Sequence, residues 1–378
     1  MNERVLGKAE GVLRQNWPLL AIATALSLLG IITMDPLGEG QSFATHQLAS
    51  LGAGIVVFLT LATIDMNFLR RTPVIVTGYV LALILLASLL VFAPTVMGAK
   101  SWFSLGFISI QPADPAKIIF IALIAKYFSR RHTEIADFWH VIVSGAYAGV
   151  MILLILVQPD LGTAAIFGMV WLGMILVSGI PKKHLIAVFL AGIVAGSGLW
   201  FFGLHDYQRT RIMTFVNPAG DPMGAGYNAY QAVVAAGSGE LFGKGIGYGT
   251  QSKLKFLPEY QSDFIFAAFT EEWGFIGVIL VLLLFGLLFR HLLNIASRAA
   301  TNFDALFTVG VIILLSAHVG IHAGINLGLL PVTGTTIPFM SYGGSHLVVE
   351  FAMLGIVASL SRYGRSVPRT EANQEYIG

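Results

Sequence analysis

PVIVTGYVLALILLASLLVFAP, residues 73–94, contains no charged side chain, no carboxamide and no histidine. A helix rises about 1.5 Å per residue, so this run can cross the roughly 30 Å hydrocarbon core of a bilayer. Lipid offers no water to the backbone, so such a run crosses as a helix whose N–H and C=O groups bond one another. On either side of it, apolar runs recur at Pro18–Asp35, Leu48–Ile64, Pro115–Phe128, Val141–Gln158, Thr163–Ile180, Leu185–Phe202, Phe264–Phe289, Ala305–Asn326 and Leu347–Arg362. Pro115–Phe128 is the least typical, being short and holding Lys117. Of the 378 residues, 56% are hydrophobic and 11% charged, against about 25% charged in a soluble domain. The chain reads as an all-α polytopic membrane protein, one integral membrane domain with about ten transmembrane helices.

Charge placement orients it. Arg4, Lys8, Arg14, Arg70, Arg71, Lys126, Arg130, Arg131, Lys182, Lys183, Arg290, Arg298, Arg362, Arg365 and Arg369 fall in alternate loops and at both ends. Basic residues gather on the cytoplasmic side, so both termini are expected in the cytoplasm. The net charge of +2 gives no sign of a nucleic-acid partner, and with no cysteine there is no disulfide or thiolate metal site. The first apolar run lacks a small-residue cleavage site and reads as a retained helix.

One large extracytoplasmic loop, residues 203–262, lies between the seventh and eighth spans. It holds enough aromatic and aliphatic residues to be ordered, and Tyr227–Ala236 has helical spacing suited to lying along the membrane surface. No internal repeat of the kind found in many transporters stands out.

Ionisable groups at membrane depth point to function. Asp114 and Lys117, three residues apart, share a helix face and can neutralise each other. Asp160, after Pro159, suits a helix cap. His318, His322 and Asn326 share one face, and polar packing suits them better than a metal, since HExxH is absent and no third ligand is in view. His346 and Glu350 are spaced as a buried pair, whereas the positions of Glu271 and Glu272 reveal no role. The segment GLLPVTGTTIPFMSYGGSH, residues 328–346, reads as a mouth-lining loop that offers backbone N–H groups and the hydroxyls of Thr333, Thr335, Thr336 and Ser341 to an anion. In FLPEYQSDFIFA, residues 256–267, Asp263 either caps the helix that follows or serves as a base. Arg209, Arg211, Lys244, Lys253 and Lys255 share its loop, which suits an anionic lipid-phosphate substrate. The glycine-rich run at residues 243–249 lacks the P-loop pattern.

Several stretches, in order, resemble the SEDS family (shape, elongation, division and sporulation), and within it the RodA branch more than the FtsW branch. They are GAKSWFSLGFISIQPADPAK (98–117), VQPDLGTA (157–164), HDYQRTRI with NPAGDPMGAGYN (205–228), GKGIGYGTQSKLKFLPEYQSDFIFA with EEWG (243–274) and NLGLLPVTGTTIPFMSYGGS (326–345). The resemblance implies ten spans with both termini inside, and a peptidoglycan glycosyltransferase that polymerises lipid II at the outer face of the bacterial cytoplasmic membrane during cell elongation. It implies a class B penicillin-binding protein as transpeptidase partner, alongside other elongation-complex membrane proteins. The family's essential aspartate falls on Asp263. Its QPSExxK motif reads QPADPAK here, with Asp114 in place of the usual Glu and Ala113 in place of Ser, while Lys117 is retained. IPFMSYGGSH stands where an LPFISYGGSS-like segment is usual and differs slightly from it.

The expected reaction is an inverting transfer with Asp263 as general base for the acceptor 4-hydroxyl. Lys117, Arg209 and Arg211 are the candidates for the leaving pyrophosphate, with Asp114 orienting Lys117. A divalent cation, Mg or Mn, is a possible helper without an assigned ligand. Lys244, Gln251, Lys253, Ser341 and Gly343, within the matching stretches, complete the candidate substrate-binding set. The alternative is a flippase for the lipid-linked precursor, which predicts polar groups near the bilayer midplane.

Overall fold

The computed structural model describes residues 3–36, 43–94, 100–104, 109–130, 137–217 and 225–363. Arg131, Arg365 and Arg369 of the charge pattern, and residues 218–224 of the long segment, lie outside the described residues.

The run at 73–94 forms α3 (Thr72–Phe92), with Pro73 in the first turn, where no helical N–H bond is lost. Ile75, Tyr79, Ala82, Leu86 and Leu89 are buried. Their spacing of three and four makes one face of a helix. The other face bares Val76, Val80, Leu81, Ile84 and Leu85. A strip this apolar is an anomaly in water and ordinary against acyl chains.

Eight helices among the described residues are long and apolar enough to cross a membrane. Besides α3 they are α1 (Glu3–Met34), α2 (Phe43–Thr63), α5 (Phe138–Val157), α7 (Lys182–Gly198), α11 (Ile265–Ser297), α12 (Asn302–Asn326) and α13 (Gly344–Tyr363). α6 (Leu161–Val177) is apolar but shorter. The expected fourth span is α4 (Ala113–Ser129), which packs against α3, α6, α12 and α13. Asp114, Lys117 and Lys126 on it are buried. A helix enclosed by helices can carry charge where its neighbours supply partners. α7 is the opposite case: none of its residues is buried, and it runs into a π-turn at Leu199–Gly203. α2 and α13 form a close seam, with the Phe351 ring over Gly54 and Gly355 against Phe58. At the loop joining α2 and α3, Arg70 pairs with the buried Asp304 of α12 at 2.6 Å.

The long segment is ordered where described. It contains α8 (Asp206–Val216), α9 (Ala225–Ser238) and α10 (Thr250–Lys253). The helix expected over Tyr227–Ala236 is α9. It does not merely lie along a surface, since it packs on α11 and buries Ala232 and Ala235. A two-residue antiparallel ladder pairs Phe103–Ser104 with Ser109–Ile110 ahead of α4.

α11 breaks at Gly274, whose φ of 67° and ψ of −168° lie far from helical values. The break frees four backbone groups, and the long segment bonds them all. The N–H groups of Lys244 and Gly245 donate to the carbonyls of Glu271 and Glu272 at 2.9 and 3.0 Å. Those of Phe275 and Ile276 donate to the carbonyls of Glu240 and Leu241 at 2.9 and 3.1 Å. Gly243, at φ 77°, sits between these bonds, and a Cβ there would overlap the Glu272 carbonyl. Gly243→Ala therefore costs about 1–3 kcal/mol through overpacking, beyond the strain of a left-handed alanine. A lower melting temperature in detergent is the expected reading, and an unchanged one would count against this account of the break.

Candidate functional site

Three helices begin around one cavity of about 340 Å³, which the long segment and the α12–α13 loop help to wall. The volume lies within the range of small-molecule sites. Asp160 caps α6: its Oδ1 accepts the Thr163 N–H at 3.0 Å and its Oδ2 the Thr163 hydroxyl at 2.8 Å. Ser101 and Gln111 donate to the same Oδ2, so this cap also ties the segment before α4 to the cavity wall. Lys117, in the second turn of α4, lines the cavity and donates to Asp114 Oδ1 at 2.9 Å. Asp114 does not line the cavity and stands behind Lys117 as its partner.

Asp263 does not cap α11. The capping position belongs to Phe264, which makes no side-chain bond. Asn326 of α12 does the work instead: its Oδ1 accepts the Ala267 N–H at 2.9 Å, and its Nδ2 donates to the Asp263 carbonyl at 3.0 Å. The Asp263 carboxylate is left to face the cavity and accepts no hydrogen bond from any described residue. Burial pushes its pKa up to about 7. Glu259 adds to the rise, Arg211 opposes it and Asp160 adds again. A carboxylate poised there suits a general base near neutral pH.

The base is the ionised form, and protonation below about pH 7 removes it. Turnover should fall about tenfold per pH unit below that value and level off above it. A profile flat down to pH 5 would remove Asp263 from the rate-limiting proton transfer.

The α12–α13 loop is hung from α12. The carbonyls of Thr336 and Thr335 lie 3.1 and 2.7 Å from Nδ1 of His318 and His322. A carbonyl only accepts, so each Nδ1 carries its hydrogen. The two histidines and Asn326 thus act as polar packing. His318 Nε2 and the hydroxyls of Thr333 and Thr335 are buried at the cavity without a protein partner. Buried polar groups are rarely left unbonded, and these suit a polar ligand.

Of the residues expected at the site, the cavity gathers Lys117, Arg211 and Asp263, with Thr333, Thr335 and Thr336 of the mouth-lining loop. The others lie outside its wall. Arg209 donates to the carbonyls of Trp200 and Phe201. Lys244 Nζ pairs with Glu271 at 2.8 Å, and the Gln251 N–H donates to the same carboxylate. Lys253 reaches the Gly247 carbonyl and the Tyr248 ring. The Ser341 hydroxyl donates to the Ser262 carbonyl, and the Gly343 N–H donates to Gln47. All of these bonds brace loops. Glu271 and Glu272, without a role in the sequence, prove to be anchors for the long segment. Tyr207 and Glu259 line the cavity unforeseen. Glu259 stands four residues before Asp263, and that spacing was its one sequence signal.

Among the described residues no group of three or more His, Asp or Glu side chains is spaced to hold a metal ion. Asp160, Glu259 and Asp263 share the cavity without converging into a ligand set.

Residues 13–366 match the family described as cell cycle protein, FtsW/RodA/SpoVE. The chain belongs to this family. It is 34% identical to the peptidoglycan glycosyltransferase MrdB of Escherichia coli K12 over 93% of this chain and 94% of that one. It is 35% identical to the stage V sporulation protein E of Bacillus subtilis over 85% and 88% of the two chains. Its fold is similar to a chain of a solved peptidoglycan synthase complex that coordinates polymerization and crosslinking, with a TM-score of 0.80, 29% identity and coverage of 94% and 100%. The rod shape determining protein RodA of Thermus thermophilus aligns with a TM-score of 0.70 and 28% identity over 93% and 98% of the two chains. The SEDS resemblance of the motifs and the multi-pass helical fold therefore hold for this family member.

Proposed function

We propose that this family member is a peptidoglycan glycosyltransferase that polymerises lipid II into glycan strands, with Asp263 as general base. The observation that carries the reading is a carboxylate released from capping by Asn326 and turned into a cavity that also holds Lys117 and Arg211. The related glycosyltransferases support the reaction class.

The acceptor 4-hydroxyl oxygen forms a bond to the donor's anomeric carbon while the bond from that carbon to the pyrophosphate oxygen breaks. The hydroxyl proton passes to Asp263. Attack from the face opposite the leaving group inverts the centre, and no second carboxylate nucleophile is needed. Lys117 and Arg211 meet the charge that develops on the pyrophosphate. Asp114 holds the Lys117 ammonium in place at 2.9 Å.

The charge pattern supports ten spans with both termini in the cytoplasm and the cavity on the outer face of the bacterial cytoplasmic membrane. The likeness to a synthase complex supports a class B penicillin-binding protein as transpeptidase partner, within an assembly of other elongation-complex membrane proteins. A divalent cation, if used, arrives with the pyrophosphate.

The test is lipid II polymerisation by the purified protein in lipid, with and without a transpeptidase partner. Polymer supports the reading. Movement of lipid II across the bilayer with no polymer under either condition would replace it with a flippase.

A further inference from the structure

Two of the departures from the usual family pattern, Asp114 for Glu and His346 for Ser, meet in space. His346 Nδ1 lies 3.0 Å from Asp114 Oδ1, the same oxygen that accepts from Lys117 Nζ at 2.9 Å. On its far side, His346 Nε2 lies 2.9 Å from Glu350 Oε1 and 2.8 Å from the Thr336 hydroxyl. Glu350 in turn accepts the Phe339 N–H at 2.7 Å and holds that residue at φ 64°. Each ring nitrogen faces a carboxylate oxygen, and a carboxylate only accepts, so both donate and the ring carries charge. Two carboxylates, an ammonium and an imidazolium then balance inside the protein, each 8% exposed or less.

We infer that His346 is a positioning residue for the proposed transferase site: it fills the space left by the shorter Asp114 and fixes the carboxylate that aims Lys117 into the cavity. A glutamate would carry the carboxyl about 1.5 Å further, one C–C bond, onto the imidazole. A serine would leave Asp114 with Lys117 alone, and Asp114 Oδ2 already has no partner. The two sites are therefore coupled: Asp114 needs His346, and a glutamate needs the smaller residue.

This inference rests on the transferase reading, and the experiment separates the two. Wild type, Asp114→Glu, His346→Ser and the double variant are compared for lipid II polymerisation, for affinity toward undecaprenyl pyrophosphate in nanodiscs, and for melting temperature. Each single change is expected to raise KM and weaken pyrophosphate binding about tenfold. The double variant is expected to return within about threefold of wild type, a coupling in the range seen for residues in contact. Additive losses in the double variant, or single variants that bind and turn over like wild type, would overturn the inference. Losses that track melting temperature alone would also overturn it by making His346 merely structural. An inactive wild type would sink the polymerase reading, while the binding cycle would still decide the coupling.

Discussion

Asp263→Asn is expected to abolish glycan polymerisation while the protein remains folded. Asparagine keeps the shape of the side chain and cannot accept the acceptor's proton. A positioned base is worth roughly 10²–10⁴ in rate, and a loss in that range is expected in kcat with KM little changed. The backbone of α11 should not suffer, because Asn326 caps it and the Asp263 carbonyl that Asn326 holds is present in the variant. The sign of the stability change is also set. Burial raises the pKa of Asp263 to about 7 from its ordinary value, so ionisation disfavours the folded state as pH rises between those values. Removing the charge relieves that cost, and the variant should melt no lower than wild type at pH 6 and higher at pH 8. Polymer yield and melting temperature, measured side by side, check both halves. Normal turnover by a folded variant would remove Asp263 from the chemistry. Loss of activity with a large fall in melting temperature would make it structural.

Glu271→Ala is expected to show the contrasting phenotype, lowering stability first and activity as a consequence. The Glu271 carboxylate is fully buried. It accepts from Lys244 Nζ, the Thr250 hydroxyl, the Gln251 and Ser252 N–H groups and the Ser252 hydroxyl. Removing one partner of a buried charged network costs about 3–5 kcal/mol, because the remaining donors are stranded. Lys244→Ala should cost less, since the ammonium keeps partial access to water. The segment freed by Glu271→Ala leads directly into residues 256–263, so Asp263 loses its place as well. Limited proteolysis within residues 240–260 and thermal unfolding in detergent read this out. A variant as protease-resistant and as stable as wild type would show that the backbone exchange at Gly274 holds the segment by itself.

The sequence showed the class of fold and much of the site's cast. Hydropathy is a property of each run, so α3 needed nothing beyond residues 73–94 to be recognised. Asp114 and Lys117 could be paired from their spacing, because i and i+3 meet on any helix. For Arg209, Lys244 and Lys253 no such local rule applies. Sharing a loop does not make side chains share a cavity, and these three turn to carbonyls and to Glu271.

Asp263 marks the boundary between what was legible and what was not. Its position ahead of an apolar helix allowed a cap or a base, and local sequence could not choose. The cap was ruled out by Asn326, which arrives from another helix and takes the capping bond. The same holds for His346, whose usual helix partner Glu350 was legible from i, i+4 spacing, while its contact with Asp114 was not. By itself the sequence determined which segments enter lipid, because that depends on the transfer of each run from water. Only the tertiary structure decided which polar groups are left for chemistry, because inside a bundle each buried donor and acceptor is assigned by whatever packing brings within about 3 Å of it.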